Sequence, residues 1–530
     1  MRTDLMRASA AEVLVVGAGP TGLALANALV RQGVRVEIIE RNAAPSRDSK
    51  ALAINVASQY GLQANGMDGV LGRSGTRLAR AVVYWHGRRL AGIDLRRLGD
   101  GHARLIAQPQ ADTEHELIAA LAAQGVAVQW NTSATVLAPR ADAVAVTLAG
   151  PAGTGVREFA YVAGCDGKRS LVRRHMGARF EGPDYPLHFV LGDFALSWNA
   201  PVDQARYHVY EDGFLILVPL GGQRWRVVVK HDGPVPEGPP DPAAITEPVR
   251  ARLGDVFRDA HPTWLSRAPC YARTSDRLRA GRLLLAGDAA HLFTPLGGTG
   301  MNTGIQDALA LAWRLALRLR GVAGDCLLDA YESERLEAIV ANARGTDHVT
   351  RLIAGIERGQ QAVASLLPMM ANRQVLRAAL PGRLAGLDFR HAVPAGGVRA
   401  LPGSPAAGSI WPVRSALAPP LARTPPRLLA VAAARGDETA LAALQLLQDE
   451  FGAALLAVVL VPDTAVATLR AQLPRLTVRA HPARAALPAG ALLLVDPDAT
   501  VRFSGALGEH AALRRELVRR LGTCAAAQVA

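Results

Sequence analysis

Three glycines and one carboxylate are the first residues of this chain that are spaced for chemistry. Gly17, Gly19 and Gly22 lie in "VLVVGAGPTGLALANALV", and Glu40 closes the next apolar run. Gly17 permits a tight turn, Gly19 lets backbone approach a pyrophosphate, and Gly22 lets a helix pack closely on a strand. Leu23 to Arg31 has helical spacing, and the free N–H groups and positive end of that helix favour phosphate, with Pro20 and Thr21 as candidate cofactor contacts in the turn before it. Glu40 follows about 20 residues on, where a carboxylate reaches ribose hydroxyls, with Arg41 beside it. The unit predicts a bound dinucleotide. It does not separate a nicotinamide from a flavin.

Two later stretches carry further groups. In "REFAYVAGCDGKRSLVRRHMGA" an apolar run, Tyr161–Gly164, delivers Asp166 and Gly167 before a short helical pattern. In "LLLAGDAAHLFTPLGGTGMNTGIQDALALAWRLA", from Leu283 to Ala316, an apolar strand ends at Gly287 and Asp288. A turn through Pro295, Gly297, Gly298 and Gly300 then leads into a helix predicted from Met301 to Arg320. A carboxylate at a strand end suits a polyol. A turn with little side-chain bulk lets a flat ligand approach the backbone, and amides at the next helix start stabilise negative charge.

The elements that must position these groups read as strand, turn and helix in alternation, an α/β pattern. The chain has 530 residues, half of them hydrophobic, enough for two or three cored domains. Its net charge is +13, almost all of the excess from arginine, with Lys50, Lys168 and Lys230 the only lysines. Acidic residues are interspersed and no basic block or aromatic-interleaved stripe occurs, so nucleic acid is not an expected partner. Cys165, Cys270, Cys326 and Cys524 form no CxxC pair and no metal-ligand spacing, which predicts reduced thiols and no metal. No secretory pattern opens the chain, and its apolar runs are too short to span a bilayer. These features predict a soluble, cytoplasmic protein.

Taken together, the motifs resemble those of the FAD-dependent aromatic hydroxylases, the class A flavoprotein monooxygenases of the p-hydroxybenzoate hydroxylase and phenol hydroxylase type. The resemblance rests on Gly17/Gly19/Gly22 with Glu40, on "GCDGKRSLVR" from Gly164, and on "GDAAHLFTPLGGTGMNTGIQDALALAWRLA" from Gly287. "QPQADTEHEL" from Gln108 and "YESERLEAI" from Tyr331 add to it. It covers about residues 11 to 395 and implies a role for each matching position. Glu40 is expected to bind the adenosine ribose, Asp288 the ribityl chain and Gln110 the flavin. Asp166 is expected to serve both FAD and the nicotinamide cofactor. Pro295 would line the reactive face, and Gly298 to Asn302, with Gly300 and Met301, the pyrimidine edge. Lys50 stands where the family often has Arg, and Ala57 about where it has a second Arg. A lysine keeps the charge and loses the planar fork, so the docking of the mobile flavin or of the nicotinamide is expected to differ there.

The resemblance implies a Rossmann-like FAD-binding domain, discontinuous over 1–181 and 272–395. An inserted β-sheet substrate domain is expected over 182–271, then a linker and a thioredoxin-like α/β domain over 396–530. Within the insert, "ARYHVYEDGFLILVPLGGQRWRVVVKH" alternates as hairpins, with turns at Asp212-Gly213 and Gly221-Gly222. Tyr207, His208, Tyr210, Phe214 and Trp225 are candidate pocket residues. Alternation forbids Tyr207 and His208 from sharing a face. His208 or Tyr210 is the expected base, deprotonating a phenol to raise ring nucleophilicity. Asp496 departs from the C-terminal pattern, where such domains often carry Arg.

The implied reaction is hydroxylation of a small phenolic or polyketide-type aromatic by NADPH or NADH and O2, through a flavin C4a-hydroperoxide, in a monomer or homodimer. A same-fold epoxidase or Baeyer–Villiger-type oxygenase is an alternative, and a flavin-binding redox sensor without turnover is another. The tryptophan-rich signature of flavin halogenases is absent. Replacing Asp288 by Ala is expected to lower the FAD retained on purification, read from the visible spectrum of the folded protein; unchanged flavin content would remove Asp288 from the site.

Overall fold

The computed structural model describes residues 11–46, 49–97, 104–210, 213–231, 235, 237–257, 260–295, 298–355, 385–387, 400–411, 426–434, 438–480 and 487–522. Asp212, Gly297, Cys524, the expected boundary near 395 and residues 412–425 of the Pro/Gly-rich stretch lie outside them.

The first apolar run forms strand Val13–Val16, which pairs in parallel with Val36–Ile39 on one side and Tyr161–Gly164 on the other. Leu283–Leu285 and Val128–Gln129 extend this parallel core, and Arg279–Ala280 adds one antiparallel edge. All four residues of Val13–Val16 and of Tyr161–Gly164 are buried, as expected of parallel strands covered on both faces. The three sequence motifs therefore end on neighbouring strands of one sheet. Such strand ends are where open α/β sheets bind ligands.

Two helices bring the motifs into register. Helix Pro20–Arg31 has Pro at its first positions and Gly19 as its N-cap. Helix Gly300–Leu319 is apolar nearly all round and mostly buried, as befits a helix enclosed by other elements. They meet at Thr21. A Cβ on either Gly287 or Gly304 would fall inside van der Waals contact of the Thr21 hydroxyl. The small residues of the third motif thus admit the first motif's helix, and Gly304 belongs to that packing although its spacing alone did not single it out.

A second layer is a seven-stranded sheet in the order Pro262–Tyr271, Asp184–Ala195, Arg224–His231, Gly213–Gly221, Gln204–Tyr210, Arg80–Trp85, Arg88–Asp94. The sheet expected over 182–271 is present and continues into two strands from residues 80–94. Arg80–Trp85 joins it in parallel, a long-range pairing that hairpin periodicity cannot reveal.

In the C-terminal part, strands Leu428–Ala433 and Leu455–Val461 pair in parallel, and Ala491–Val495 and Val501–Ala506 pair antiparallel. Thr477–Ala480, which the sequence reading passed over, adds the outer strand. Helices Glu438–Phe451 and His510–Leu521 bury Leu441, Leu444, Leu513 and Leu517 against the sheet. Among the described residues no helix is long and apolar enough to cross a membrane, and no cluster of His, Cys, Asp or Glu could hold a metal.

At Gly22 a Cβ would overlap the Gly17 carbonyl. Gly22→Ala is expected to cost about 3 kcal/mol of stability, as overpacking against backbone does, read as a lower urea midpoint. An unchanged midpoint would show that the turn has room.

Candidate active site

The glycine turn is built for close approach from one side. Gly17 holds φ +105° and packs against the Cys165 carbonyl, a contact only glycine permits there. Gly19 differs: a Cβ there would meet nothing within 4 Å, so its free side faces open space at the start of helix Pro20–Arg31. Glu40 is held beside the turn, its carboxylate accepting the amides of Ala18 at 3.0 Å and Asn42 at 3.0 Å. Arg41 is exposed. Thr21, a predicted cofactor contact, packs its side chain against Gly287 and Gly304.

At the second motif, Asp166 caps helix Leu171–His175: its Oδ2 accepts Leu171 N at 2.6 Å and Val172 N at 3.3 Å. Its Oδ1 is buried without a hydrogen-bond partner among the described residues, an expensive state that a ligand donor would relieve. Gly167 holds φ +75° with open space beyond it. Arg173, not singled out from sequence, donates to the carbonyls of Lys168 and Ala289, each at 2.7 Å, and so ties the second motif to the third.

At the third motif, Asp288 sits in a single turn, Gly287–Ala289, with its side chain exposed to the cleft. Crowding by surrounding protein raises its carboxyl above the ordinary range, opposed by His291, Lys168 and Lys50. The two lysines therefore act on Asp288 from separate loops, and Lys50 keeps the charge that the family's arginine supplies. The turn itself is held by Asp307, one helical segment away. Asp307 Oδ2 accepts Gly287 N at 3.0 Å and meets His291 Nε2 at 2.7 Å, while Oδ1 accepts Arg335 Nε at 2.7 Å. Burial alone would raise its pKa, but Arg335 and His291 outweigh that and hold the carboxyl low.

Pro295 is exposed beside this turn, and open space lies off Gly298 and Gly300. Met301 is buried. The Asn302 side chain is spent within the protein: it donates to Ala53 O at 2.8 Å and Gly298 O at 3.1 Å, and accepts from Asn55 N at 2.9 Å. Only its backbone can face a ligand. Gln110 meets the same loop, with Ala51 N donating to its Oε1 at 3.3 Å, and donates to Glu114 at 2.9 Å.

The seven-stranded sheet sets the expected bases, His208 and Tyr210, on the face that a helix covers. Opposed residues of antiparallel strands share a face. His208 pairs with Leu215 and through it with Val229, both packed on helix Ala243–Leu253. Tyr210, two residues on, lies in the same cluster under Arg252. Both therefore sit on the outer face and cannot reach a ring held beneath the sheet. His208 is buried, stacked on Tyr84 with centroids 4.5 Å apart, and among the described residues neither ring nitrogen has a hydrogen-bond partner; burial pushes its pKa down to about 4. Trp225 also faces outward. Tyr207, Ile216, Val228 and Leu191 form the inner row, with Phe214 beside it. Arg226 emerges there too, fully buried, paired with Asp193 and donating to Ser49 O at 2.5 Å next to Lys50.

Residues 10–346 match the family model described as an FAD binding domain. A rifampicin monooxygenase from Streptomyces venezuelae is 33% identical over 389 residues, covering 72% of this chain and 80% of that protein. The chain belongs to the FAD-dependent aromatic hydroxylases. A dialkyldecalin synthase from Streptomyces rugosporus is 35% identical over 383 residues, covering 71% of this chain and 80% of that protein. The solved anhydrotetracycline hydroxylase from Streptomyces rimosus superposes with a TM-score of 0.70 at 27% identity, covering 96% of this chain and 99% of that one.

The site fits FAD on its own geometry. Helix amides and the open flank of Gly19 suit the pyrophosphate, Glu40 the ribose, Asp288 the ribityl hydroxyls, and the open turn at Gly298–Gly300 a flat ring. One further titratable group acts on Glu40. Glu114 is nearly inaccessible, and burial raises its carboxyl to about 7, with Glu40 adding to the rise and Gln110, Ser46 and His115 opposing it. Above that pH its charge adds to Glu40 and to the pyrophosphate. FAD affinity is expected to fall as pH rises between about 6 and 8, severalfold in the wild type, and to be flat over that range in Glu114→Gln. Titration by quenching of flavin fluorescence checks this; equal slopes in the two proteins would dissociate Glu114 from cofactor binding.

Proposed function

We propose that this hydroxylase acts on an uncharged, multi-ring aromatic of phenolic or polyketide type, with NADPH or NADH as reductant. The observation that carries the reading is the character of the sheet's inner face. Tyr207, Leu191, Phe214, Ile216 and Val228 line it. Its arginines are engaged: Arg226 with Asp193, and Arg224 with Asp112 at 3.5 Å. Lys230 also has a partner. An ionised substrate carboxylate would be desolvated there without an unspent cation to meet it. The chain's excess of arginine thus says nothing of its substrate, because the charges nearest the pocket are internally paired.

Bound FAD supplies the redox chemistry, taking electrons from the nicotinamide and activating O2. The protein's own part is position, dryness and charge. The Gly17–Gly22 turn and Glu40 hold the adenosine half, and Asp288 the ribityl chain. Backbone amides from Thr299 to Asn302, at the start of helix Gly300–Leu319, would stabilise the edge that becomes negative on reduction. The apolar inner face excludes water from the ring. Tyr207 is the inner-face hydroxyl best placed to orient a substrate phenol. Burial raises its pKa, so it remains a neutral donor and not a base. The C-terminal unit reads as thioredoxin-like, supported by its parallel and antiparallel strand pairs around Leu428–Ala433 and Ala491–Val495. It has no CxxC, so disulfide exchange is not part of the reading.

The test uses FAD-loaded protein, NADPH or NADH, and isotopically labelled O2, with neutral polycyclic phenols set against their carboxylic acid counterparts. Neutral rings are expected to stimulate nicotinamide oxidation and to gain one labelled oxygen atom. Stimulation by the acids alone would overturn the substrate reading. A product of unchanged composition would point instead to chemistry without oxygen transfer, a pertinent outcome because one relative is named a synthase and not a monooxygenase.

A further inference from the structure

The far end of the cofactor-side helix is held by an ion network that joins it to the C-terminal unit. Helix Gly300–Leu319 contributes Trp313 and Arg314, and helix Cys326–Gly355 contributes Glu334. The C-terminal unit contributes Asp496, Asp498, Arg502 and Arg520. All are buried, with accessibilities from 0% to 7%, so every one of these charges has been taken out of water. Arg314 pairs with Glu334. Glu334 also meets Arg502 at 2.7 Å and Arg520 at 2.9 Å, and Asp496 meets the same two arginines at 2.6 and 2.8 Å. Arg314 lies 3.7 Å from Asp498, which also accepts Trp313 Nε1 at 3.3 Å. Three guanidiniums face three carboxylates, so the set is neutral and the loss of any single member leaves it charged.

The geometry around it is that of a plug. The hairpin tip from Asp496 to Thr500 is buried, and Ala499 holds φ +70°, a conformation that a residue with a Cβ keeps only when its surroundings enforce it. Asn65 donates to Pro497 O at 3.1 Å and accepts from Gln32, at the end of helix Pro20–Arg31, at 2.8 Å. Gly61 admits both Leu309 and the Asp498 carbonyl, so a side chain there would part the layers. The tip therefore touches helix Gly300–Leu319 directly and reaches the end of helix Pro20–Arg31 through Asn65. Removing any one charge would strand its partner in a medium that cannot solvate it.

We infer that FAD binding and the folding of the C-terminal unit are one coupled equilibrium, transmitted from the Asp496–Arg520 network along helix Gly300–Leu319 to the Gly298–Asn302 turn. The inference rests on the FAD reading of that turn. Coupling is reciprocal: if the clamp organises the turn, FAD must in return stabilise the clamp. This gives the C-terminal unit a positioning role, and it makes sense of Asp496, where an arginine would leave four guanidiniums facing only Glu334 and Asp498.

Hydrogen exchange on the full chain, without and with saturating FAD, tests it. FAD is expected to slow exchange in the Gly17–Gly22 turn, in helix Gly300–Leu319 and, to a similar factor, in strands Ala491–Val495 and Val501–Ala506. Protection that stops at helix Gly300–Leu319 overturns the coupling and leaves the FAD site standing. Absence of protection at all of these elements overturns the FAD site, and the coupling with it. A second arm uses Arg520→Gln at full far-ultraviolet ellipticity. Its affinity for FAD is expected to weaken roughly tenfold, with partial recovery in the charge-balanced Arg520→Gln/Asp496→Asn protein. Unchanged affinity in the folded single variant overturns the proposal. Should that variant fail to fold, the exchange experiment on the unaltered protein decides.

Discussion

One buried carboxylate, Asp307, sets the geometry on which the cofactor side of the molecule depends. It draws together the amide of Gly287, the imidazole of His291 and the guanidinium of Arg335, from three separate elements. Without that convergence the strand end would have no reason to stop at Gly287 with Asp288 turned into the cleft. The contact is short-ranged and fully enclosed, so its geometry is strict, and a charge so buried is tolerable only because both oxygens are satisfied.

The same economy runs through the rest of the chain. Six buried arginines, Arg173, Arg226, Arg314, Arg335, Arg502 and Arg520, serve as internal building material. Arg173 binds motif to motif, Arg226 binds the substrate sheet to the loop at Ser49, and Arg314, Arg502 and Arg520 bind the C-terminal hairpin to two helices. The planar fork of arginine suits these many-sided contacts, where a lysine would reach one partner at a time. A cofactor site assembled from three chain segments thus acquires rigidity from charges that never meet a ligand. The pocket roof can meanwhile stay apolar.

Much of the fold was legible because its signals are local. Glycine spacing, apolar periodicity and the carboxylate at Glu40 define the first unit without reference to anything distant. Local apolar spacing marks helix Glu438–Phe451 and strand Leu455–Val461 in the same way. The substrate sheet was only partly legible. Alternation shows that Tyr207 and His208 point opposite ways, but not which of them is inside. That is decided by helix Ala243–Leu253, whose Thr246, Glu247, Pro248 and Arg250 give no strong apolar stripe to announce the layer it covers. His208 and Tyr210 look like catalytic residues in a list and turn out to be outer-face packing. Strand Arg80–Trp85, about 120 residues earlier in the chain than its parallel neighbour, could not be placed by any local pattern.

What the sequence by itself determined is the set of backbone tolerances and the chemical types at the strand ends: where glycine must be, where a helix starts, and which carboxylates stand ready for hydroxyls. These follow from steric and hydrogen-bonding rules that act over a few residues. What only the tertiary structure decided is which groups are left free to act. Asn302 is taken by Ala53 and Asn55, and Arg226 by Asp193, while one oxygen of Asp166 has no hydrogen-bond partner among the described residues. Availability depends on what else occupies the space around a side chain. Only the three-dimensional arrangement of distant segments fills that space.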